Sequence, residues 1–200
     1  MITVISGSSR INSQSSKIAH YVVEQLKAEF EQETALLDLG HSKLPDFDDS
    51  LFVKKEEWNA QWTQISKQLL SSNAFVIISP EWDGMAPACL KNLFHLSRNG
   101  EFFHKPALLI SISAGINGAY PIMELRSSSY KNSRICYLPD HMIIRKVGET
   151  FNQAQAVDEH DHYYRDYLTY LLKMLLTYKE AFTLIHEAKI FNREKYPNGN

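Results

Sequence analysis

The sequence is poor in cysteine: Cys89 and Cys136 are the only two among 200 residues, and they lie far apart in apolar surroundings. Such usage is typical of reduced core residues in a reducing compartment. The N-terminus also lacks a basic segment followed by a long apolar stretch, which would indicate a signal peptide. We therefore expect no disulfide and a cytoplasmic location.

Long apolar runs and basic clusters are missing as well. No run approaches the roughly 18 apolar residues of a membrane span. The net charge is −2, and no series of Lys and Arg is interleaved with aromatic residues. We therefore expect no membrane and no nucleic-acid partner, which leaves small molecules or proteins. The length and the 44% hydrophobic content predict a single domain over residues 1–200.

Two common phosphate-binding motifs are absent from the loop after the first apolar run, residues 2–5. The loop lacks the second and third glycines of G-x-G-x-x-G, and it also lacks the Gly-Lys-Ser/Thr ending of nucleoside-triphosphate loops. The loop instead combines Gly7, Arg10 and several hydroxyls just before a helix. This set of donors suits a phosphate that is held and not transferred. From the loop alone, serines that merely cap the helix explain the pattern equally well.

Hydrophobic periodicity divides the chain into alternating strands and helices. Buried strands are predicted at residues 2–5, 34–39, 74–79, 106–113 and 134–138. Helical stripes lie between them, at Ile18, Val22, Leu26 and Phe30, at Trp58, Trp62, Ile65 and Leu69, at residues 87–96, and at Ile122, Leu125 and Arg126. For the tryptophans, core packing is preferred over stacking on a ligand. The alternation predicts an α/β fold, a doubly wound parallel sheet of five strands with helices on both faces.

A long C-terminal helix is predicted at about residues 158–190, followed by a loose tail at 192–200. Its apolar stripe comprises Tyr164, Leu168, Leu171, Leu175, Tyr178, Phe182 and Ile185. We expect the first half to cover the sheet and part of the second half to contact a partner. His160, Asp161 and His162 lack the spacing and the third ligand of a metal site, so a solvated helix start is preferred.

Unusual loops follow the first, third and fourth strands, at residues 7–16, 80–85 and 113–119. Ligands of doubly wound sheets bind at the carboxyl ends of the strands. If the loops converge on one edge, they form a single site.

The motifs in these loops resemble those of a known family. Gly7, Ser8, Arg10 and Ser13 fit Gly-Ser-x-Arg-x-x-Ser. Residues 80–83, Pro-Glu-Trp-Asp, resemble Pro-Glu-Tyr-Asn with tryptophan in place of tyrosine, and residues 87–92 resemble Pro-Gly-x-Leu-Lys-Asn. Residues 113–119 fit Ser-x-Gly-x-x-Gly-Gly less closely. These signatures resemble those of the NADPH-dependent FMN reductases, a flavodoxin-like group that includes quinone, azo-dye and chromate reductases. The resemblance implies the flavodoxin-like strand order 2-1-3-4-5.

The same resemblance implies which residues bind the cofactor. Those expected to hold the FMN phosphate are Ser8, Arg10, Ser13, Gln14 and Ser15. Those expected along the isoalloxazine ring, with backbone N–H groups reaching its polar edge, are Pro80, Glu81, Trp82 and Asp83, with Gly84 beside them. Ser113 and Gly115 would close the other side.

The implied activity is hydride transfer from NADPH or NADH through bound FMN to a small acceptor such as a quinone, a flavin or an azo compound. Such chemistry requires no protein nucleophile, so no catalytic residue and no metal ligand is nominated. A homodimer or homotetramer is expected. The alternative is a non-enzymatic flavodoxin-like electron carrier or flavin-binding sensor.

Several positions depart from the family pattern. Asp83 replaces the usual asparagine and adds a negative charge that would lower the reduction potential of the flavin. Ser15 replaces a frequent asparagine, and Ala88 and Ala119 replace glycines. These departures bear on cofactor affinity and turnover more than on the fold.

Overall fold

The computed structural model describes residues 1–49, 51, 60–192 and 194–196. One parallel sheet has the order β2-β1-β3-β4-β5, as predicted. Its strands are β1 (Ile2–Ser6), β2 (Thr34–Asp38), β3 (Ala74–Pro80), β4 (Pro106–Ile112) and β5 (Cys136–Ile144). Ser6 is in register with Ile78, and Pro80 with Ile112, so β1, β3 and β4 end near the same edge.

Helices cover both faces of the sheet, which confirms the predicted layering. They are α1 (Gln14–Ala28), α2 (Ala60–Leu70), α3 (Ala88–Leu96), α4 (Ala119–Ser128), α5 (Tyr130–Ser133) and α6 (Glu159–Glu187). Ile18 of α1 and Leu168 of α6 belong to the core on one face. Trp62 of α2, Leu90 of α3 and Leu125 of α4 belong to the core on the other. Core packing is thus confirmed for Trp62, whereas Trp58 lies outside the described residues.

The last strand differs from its predicted bounds, 134–138. Arg134 has a left-handed φ of 51° and ends α5, so the strand begins only at Cys136. It then continues through Pro139, which is tolerated because β5 lies at the edge of the sheet. The carbonyls of Leu138 and Pro139 accept hydrogen bonds from the Arg126 guanidinium.

The first half of α6 covers the sheet, as predicted. Its buried apolar residues are Tyr164, Leu168, Leu171, Leu172 and Leu175. Beyond them Leu184 is 70% exposed, and the partner contact of the second half stays a prediction. Most of the tail predicted to be loose lies outside the described residues.

The solvated start predicted for α6 is confirmed for His160 and His162, which are exposed, but is wrong for Asp161, which is fully buried. Its carboxylate accepts the backbone N–H of Phe151 at 2.9 Å and forms an ion pair with Arg165 at 3.1 Å. The cysteines are free, as expected, but Cys89 and Cys136 are only half-buried. Within the described ranges, no helix combines the length and the hydropathy of a membrane span.

Candidate functional site

Loop 1, residues 7–13, connects β1 to α1 and passes very close to β3. The Gly7 N–H donates to the Ile78 carbonyl at 2.8 Å, and a Cβ on Gly7 would lie 2.7 Å from that oxygen. Only glycine fits such an approach without a shift of the backbone. Ser13 caps α1, since its hydroxyl accepts the N–H of Ser16 at 3.0 Å. The capping interpretation is therefore confirmed for Ser13.

Other polar groups of loop 1 and the first turn of α1 remain available. Ser15 is fully buried, yet its hydroxyl has no hydrogen-bond partner among the residues described. The backbone N–H groups of Gln14 and Ser15 likewise have no acceptor in that part of the chain. Ser8 accepts the N–H of Arg10, whose exposed guanidinium forms no ion pair with a described carboxylate. These groups are donors gathered at a helix N-terminus, which fits a phosphate.

Asp38, at the end of β2, supports loop 1. Its carboxylate accepts the Ser16 hydroxyl at 2.6 Å and the Gly40 N–H at 3.0 Å. Burial alone would raise the pKa of Asp38, but these hydrogen bonds lower it below its ordinary value. A Cβ on Gly40 would lie 2.5 Å from the Arg10 carbonyl oxygen, so the turn after β2 also fixes the backbone of loop 1. Asp38 belongs to none of the sequence motifs, although its place at the end of a predicted strand was a usable signal.

Loop 2, residues 81–87, contains a tight hairpin turn. Trp82 and Met85 exchange backbone hydrogen bonds of 3.1 and 2.8 Å, while Asp83 and Gly84 have φ of 49° and 73°. Two central residues with positive φ define a type I′ turn, for which Asp-Gly is a preferred pair. This dipeptide was a readable signal that the sequence analysis did not use. The turn leaves Trp82 48% exposed at the edge of the sheet.

Backbone N–H groups of residues 80–83 were expected to reach a ligand, but those of Glu81 and Trp82 already have acceptors within the protein. The Glu81 N–H donates to the Ile112 carbonyl at 2.9 Å, and the Trp82 N–H is used within the turn. Pro80, the last residue of β3, has no N–H to offer. The N–H groups of the central turn residues, Asp83 and Gly84, have no backbone acceptor among the described residues.

Two carboxylates cross between loop 2 and α4. Glu81 accepts the N–H of Gly118 at 2.8 Å, directly before α4. Glu124, within α4, accepts the N–H of Ala86 at 2.7 Å and pairs with Lys91. Burial would raise the pKa of Glu124, but the hydrogen bonds from Lys91 and Ala86 lower it. Glu81 therefore binds loop 3 through its carboxylate, and loop 2 is held at both ends.

Loop 3, residues 113–118, completes this edge of the sheet. Ser113 is buried, and its hydroxyl accepts the N–H of Gly115 at 3.2 Å. A Cβ on Gly115 would meet no protein atom within 4 Å, so its backbone borders open space. Loops 1 and 2 meet directly, since the Arg10 guanidinium lies 5.3 Å from the centre of the Trp82 ring. The predicted convergence of the loops is confirmed.

The model of the NADPH-dependent FMN reductase family matches residues 1–149, three quarters of the chain. The chain belongs to this family. Membership accounts for the three loops together, because all of them fall inside the matched residues.

Two kinds of similarity accompany the family match. An FMN-dependent NADPH-azoreductase of Staphylococcus aureus is 29% identical over 126 residues. That alignment covers 62% of this family member and 65% of the azoreductase, slightly less than two thirds of the relative's length. Among solved structures, FerB of Paracoccus denitrificans, a flavoenzyme NAD(P)H:(acceptor) oxidoreductase, has a TM-score of 0.70 at 18% identity, covering 90% of this chain and 97% of FerB. An oxidoreductase of Corynebacterium diphtheriae has a TM-score of 0.65 at 14% identity, over 93% and 96% of the two chains. These structural similarities show the fold alone.

Proposed function

We propose that this protein is an FMN-dependent NAD(P)H oxidoreductase that reduces a small acceptor such as a quinone, a flavin or an azo compound. The observation that carries the proposal is the donor set of loop 1. The buried hydroxyl of Ser15 has no described partner, and the Arg10 guanidinium is exposed without an ion pair to a described carboxylate. Ser15 lies in the first turn of α1, where the helix dipole favours an anion, and Arg10 lies in the loop that leads into this helix. These residues fit the phosphate of FMN.

The residues proposed to bind the cofactor come from all three loops. The phosphate would be held by Ser8, Arg10, Ser13, Gln14 and Ser15. The ring would lie against Pro80, Glu81, Trp82, Asp83 and Gly84 on one side and against Ser113 and Gly115 on the other. Within this set the Ser13 hydroxyl accepts the N–H of Ser16 and keeps its own O–H to donate, whereas the Glu81 carboxylate accepts the N–H of Gly118 and offers no donor.

Bound FMN would supply the redox chemistry, by taking a hydride from NADPH or NADH and passing it to the acceptor. The protein's part is to grip the anionic phosphate and to leave one face of the site accessible. Trp82 offers a half-exposed aromatic surface, and the Gly115 backbone borders unfilled space. No acid–base side chain and no metal ligand is assigned to the reaction.

A homodimer or homotetramer and a cytoplasmic location belong to the same proposal. Large apolar side chains are exposed beside the site, namely Trp82 at 48%, Met85 at 52%, Tyr120 at 61% and Met123 at 66%. A second copy that covered these side chains would remove their apolar surface from water. The two free cysteines support a reducing compartment. Sedimentation velocity tests the assembly directly.

The deciding experiment is reconstitution of the purified protein with FMN. The expected results are a flavin absorption spectrum that stays with the protein on gel filtration and oxidation of NADPH in the presence of a quinone. A protein that retains FMN without oxidising NADPH or NADH would instead be an electron carrier or a sensor. A protein that retains no FMN would refute the proposed site.

A further inference from the structure

A fourth segment, residues 145–152, follows β5 and contacts loop 3 along its length. The N–H of Lys146 donates to the Gly115 carbonyl at 3.0 Å, and the N–H of Val147 donates to the Ser113 carbonyl at 3.1 Å. Arg145 adds a side-chain hydrogen bond, from Nε to the Ile116 carbonyl at 2.6 Å. The segment therefore lies beside the open part of the site, outside the three loops that carry the family motifs.

The other end of this segment is bound to the helix of the phosphate site. Lys17, in the first turns of α1, donates through Nζ to the carbonyls of Val147 and Thr150, both at 2.7 Å. A third bond goes to Oδ1 of Asn152 at 2.8 Å. These acceptors use all the N–H donors of the ammonium group. Lys17 thus has no donor left for a phosphate.

Several residues of the segment are buried in the protein. Val147, Thr150 and Phe151 are 2%, 2% and 5% exposed, respectively. Phe151 has a left-handed φ of 55°, and its N–H is held by the buried carboxylate of Asp161. Backbone of this kind is rare outside glycine and persists where surrounding contacts determine it. The conformation of residues 145–152 therefore depends on this packing, on the bond from Asp161 and on the three hydrogen bonds from Lys17.

The surface of the segment at Gly148 is open. A Cβ on Gly148 would meet no protein atom within 4 Å, as at Gly115, and neither glycine has a left-handed φ. Gly115 is hydrogen-bonded to Lys146, two residues before Gly148. Two unobstructed stretches of backbone therefore lie close together, one at Gly115 in loop 3 and one at Gly148.

We propose that residues 145–152 form a fourth wall of the flavin site and that Lys17 is the positioning residue that holds it. The inference rests on the proposed function. The wall would contact the ring system, because it joins loop 3, whereas loop 1 binds the phosphate. Loss of Lys17 should then weaken the binding of any flavin, with or without a phosphate.

FMN and riboflavin, which lacks the phosphate, distinguish the two ends of the site. For Lys17→Met we expect the dissociation constants of both flavins to rise by a similar factor, about tenfold, because the wall loses its charge-assisted hydrogen bonds. Lys27→Met is the matched control, since Lys27 is an exposed lysine in the last turn of the same helix. Quenching of flavin fluorescence gives all the constants. An effect of Lys17→Met on FMN alone, or no effect, overturns the proposal.

Gly148→Val provides a test that does not depend on Lys17. The added side chain meets no protein atom at its Cβ and requires no unusual φ, so the melting temperature should stay unchanged. We expect weaker binding of both flavins, because the valine would occupy space used by the ring. If the wild-type protein binds flavin and Gly148→Val binds it equally well, the fourth wall is refuted while the proposed function stands. A wild-type protein that binds neither flavin overturns the proposed function itself.

Discussion

The carboxylate of Glu81 accepts the backbone N–H of Gly118 at 2.8 Å, so the residue after β3 is tied to the residue before α4. The negative charge lies at a helix N-terminus, where it is favourable. Through this bond, the position of the hairpin turn in loop 2 depends on loop 3. A residue nominated for contact with a cofactor therefore also maintains the geometry between two loops.

Removal of this bond should destabilise the protein and loosen the site. For Glu81→Ala we expect the free energy of unfolding to fall by about 1–2 kcal/mol, the usual value of a capping interaction. FMN affinity should fall with it, because loops 2 and 3 are no longer held together. Denaturant unfolding and flavin titration measure the two effects. Glu24→Ala, at a 74% exposed carboxylate on α1, should change neither, and an equal loss of stability in both variants would contradict this account.

Arg10 is expected to act on the phosphate and not on the fold. Its guanidinium is exposed, and its contact with the Trp82 ring, 5.3 Å from the ring centre, is worth only about 0.5–1 kcal/mol at an exposed site. Arg10→Ala should weaken FMN binding by about 10- to 100-fold, since hydrogen bonds to a charged group contribute about 1.5–3 kcal/mol. Riboflavin affinity should stay near that of the wild type. If FMN binding were unchanged while the variant remained folded, the phosphate would lie elsewhere.

Two glycines of loop 3 should respond to substitution in opposite ways. Gly118 has a left-handed φ of 115°, and a Cβ there would lie 2.5 Å from a methyl carbon of Ile143, so Gly118→Ala should lower stability by about 1–3 kcal/mol. Gly115→Val meets open space and should keep the melting temperature while weakening FMN binding. Thermal unfolding and flavin titration of both variants test the pair. Full FMN affinity in Gly115→Val would remove Gly115 from the site.

Asp83 is expected to influence the redox potential through its charge. It occupies a left-handed turn position that asparagine also tolerates, so Asp83→Asn should preserve the hairpin. Loss of one negative charge near the flavin should raise its two-electron potential on the order of 20 mV, corresponding to about 1 kcal/mol across a partly solvated gap. A redox titration of both reconstituted proteins measures the change. An unchanged or lower potential would show that Asp83 does not act on the ring electrostatically.

Most of the fold could be predicted from the sequence because its central strands are mostly apolar. Residues 74–79 and 106–113 are almost entirely apolar apart from serines near their ends, as expected of parallel strands covered by helices on both sides. β5 was harder, because Pro139 and Asp140 interrupt its apolar pattern and Arg134 delays its start. Edge strands tolerate such residues, so local pattern alone gave the wrong bounds.

Residues of the site could be predicted where they belong to a sequence motif, and less well elsewhere. Arg10 and Trp82 stood in recognisable motifs, and the structure brings them together. Lys17 could not be found in this way, because its acceptors at Val147 and Thr150 are backbone carbonyls more than a hundred residues away. Because every residue has a backbone carbonyl, the sequence does not show which carbonyl accepts a hydrogen bond. Only the folded chain identifies this contact.

The buried carboxylate of Asp38 makes a pH-dependent contribution to stability. Hydrogen bonds from Ser16 and Gly40 hold its pKa below the ordinary value despite burial. Because the pKa in the folded protein is lower than in the unfolded chain, the stabilisation is complete above the unfolded pKa, about 3.9. It is lost as the pH falls through the lower folded pKa.

The variant Asp38→Asn should therefore be less stable than the wild type at pH 7, by about 1–3 kcal/mol for the lost charged acceptor. The difference should shrink as the pH falls from about 5 towards 2, since the wild-type carboxylate then becomes neutral as well. Denaturant unfolding of both proteins across this range measures it. A difference that stayed constant with pH would mean that the shape of the side chain, and not its charge, holds Ser16 and the start of α1 in place.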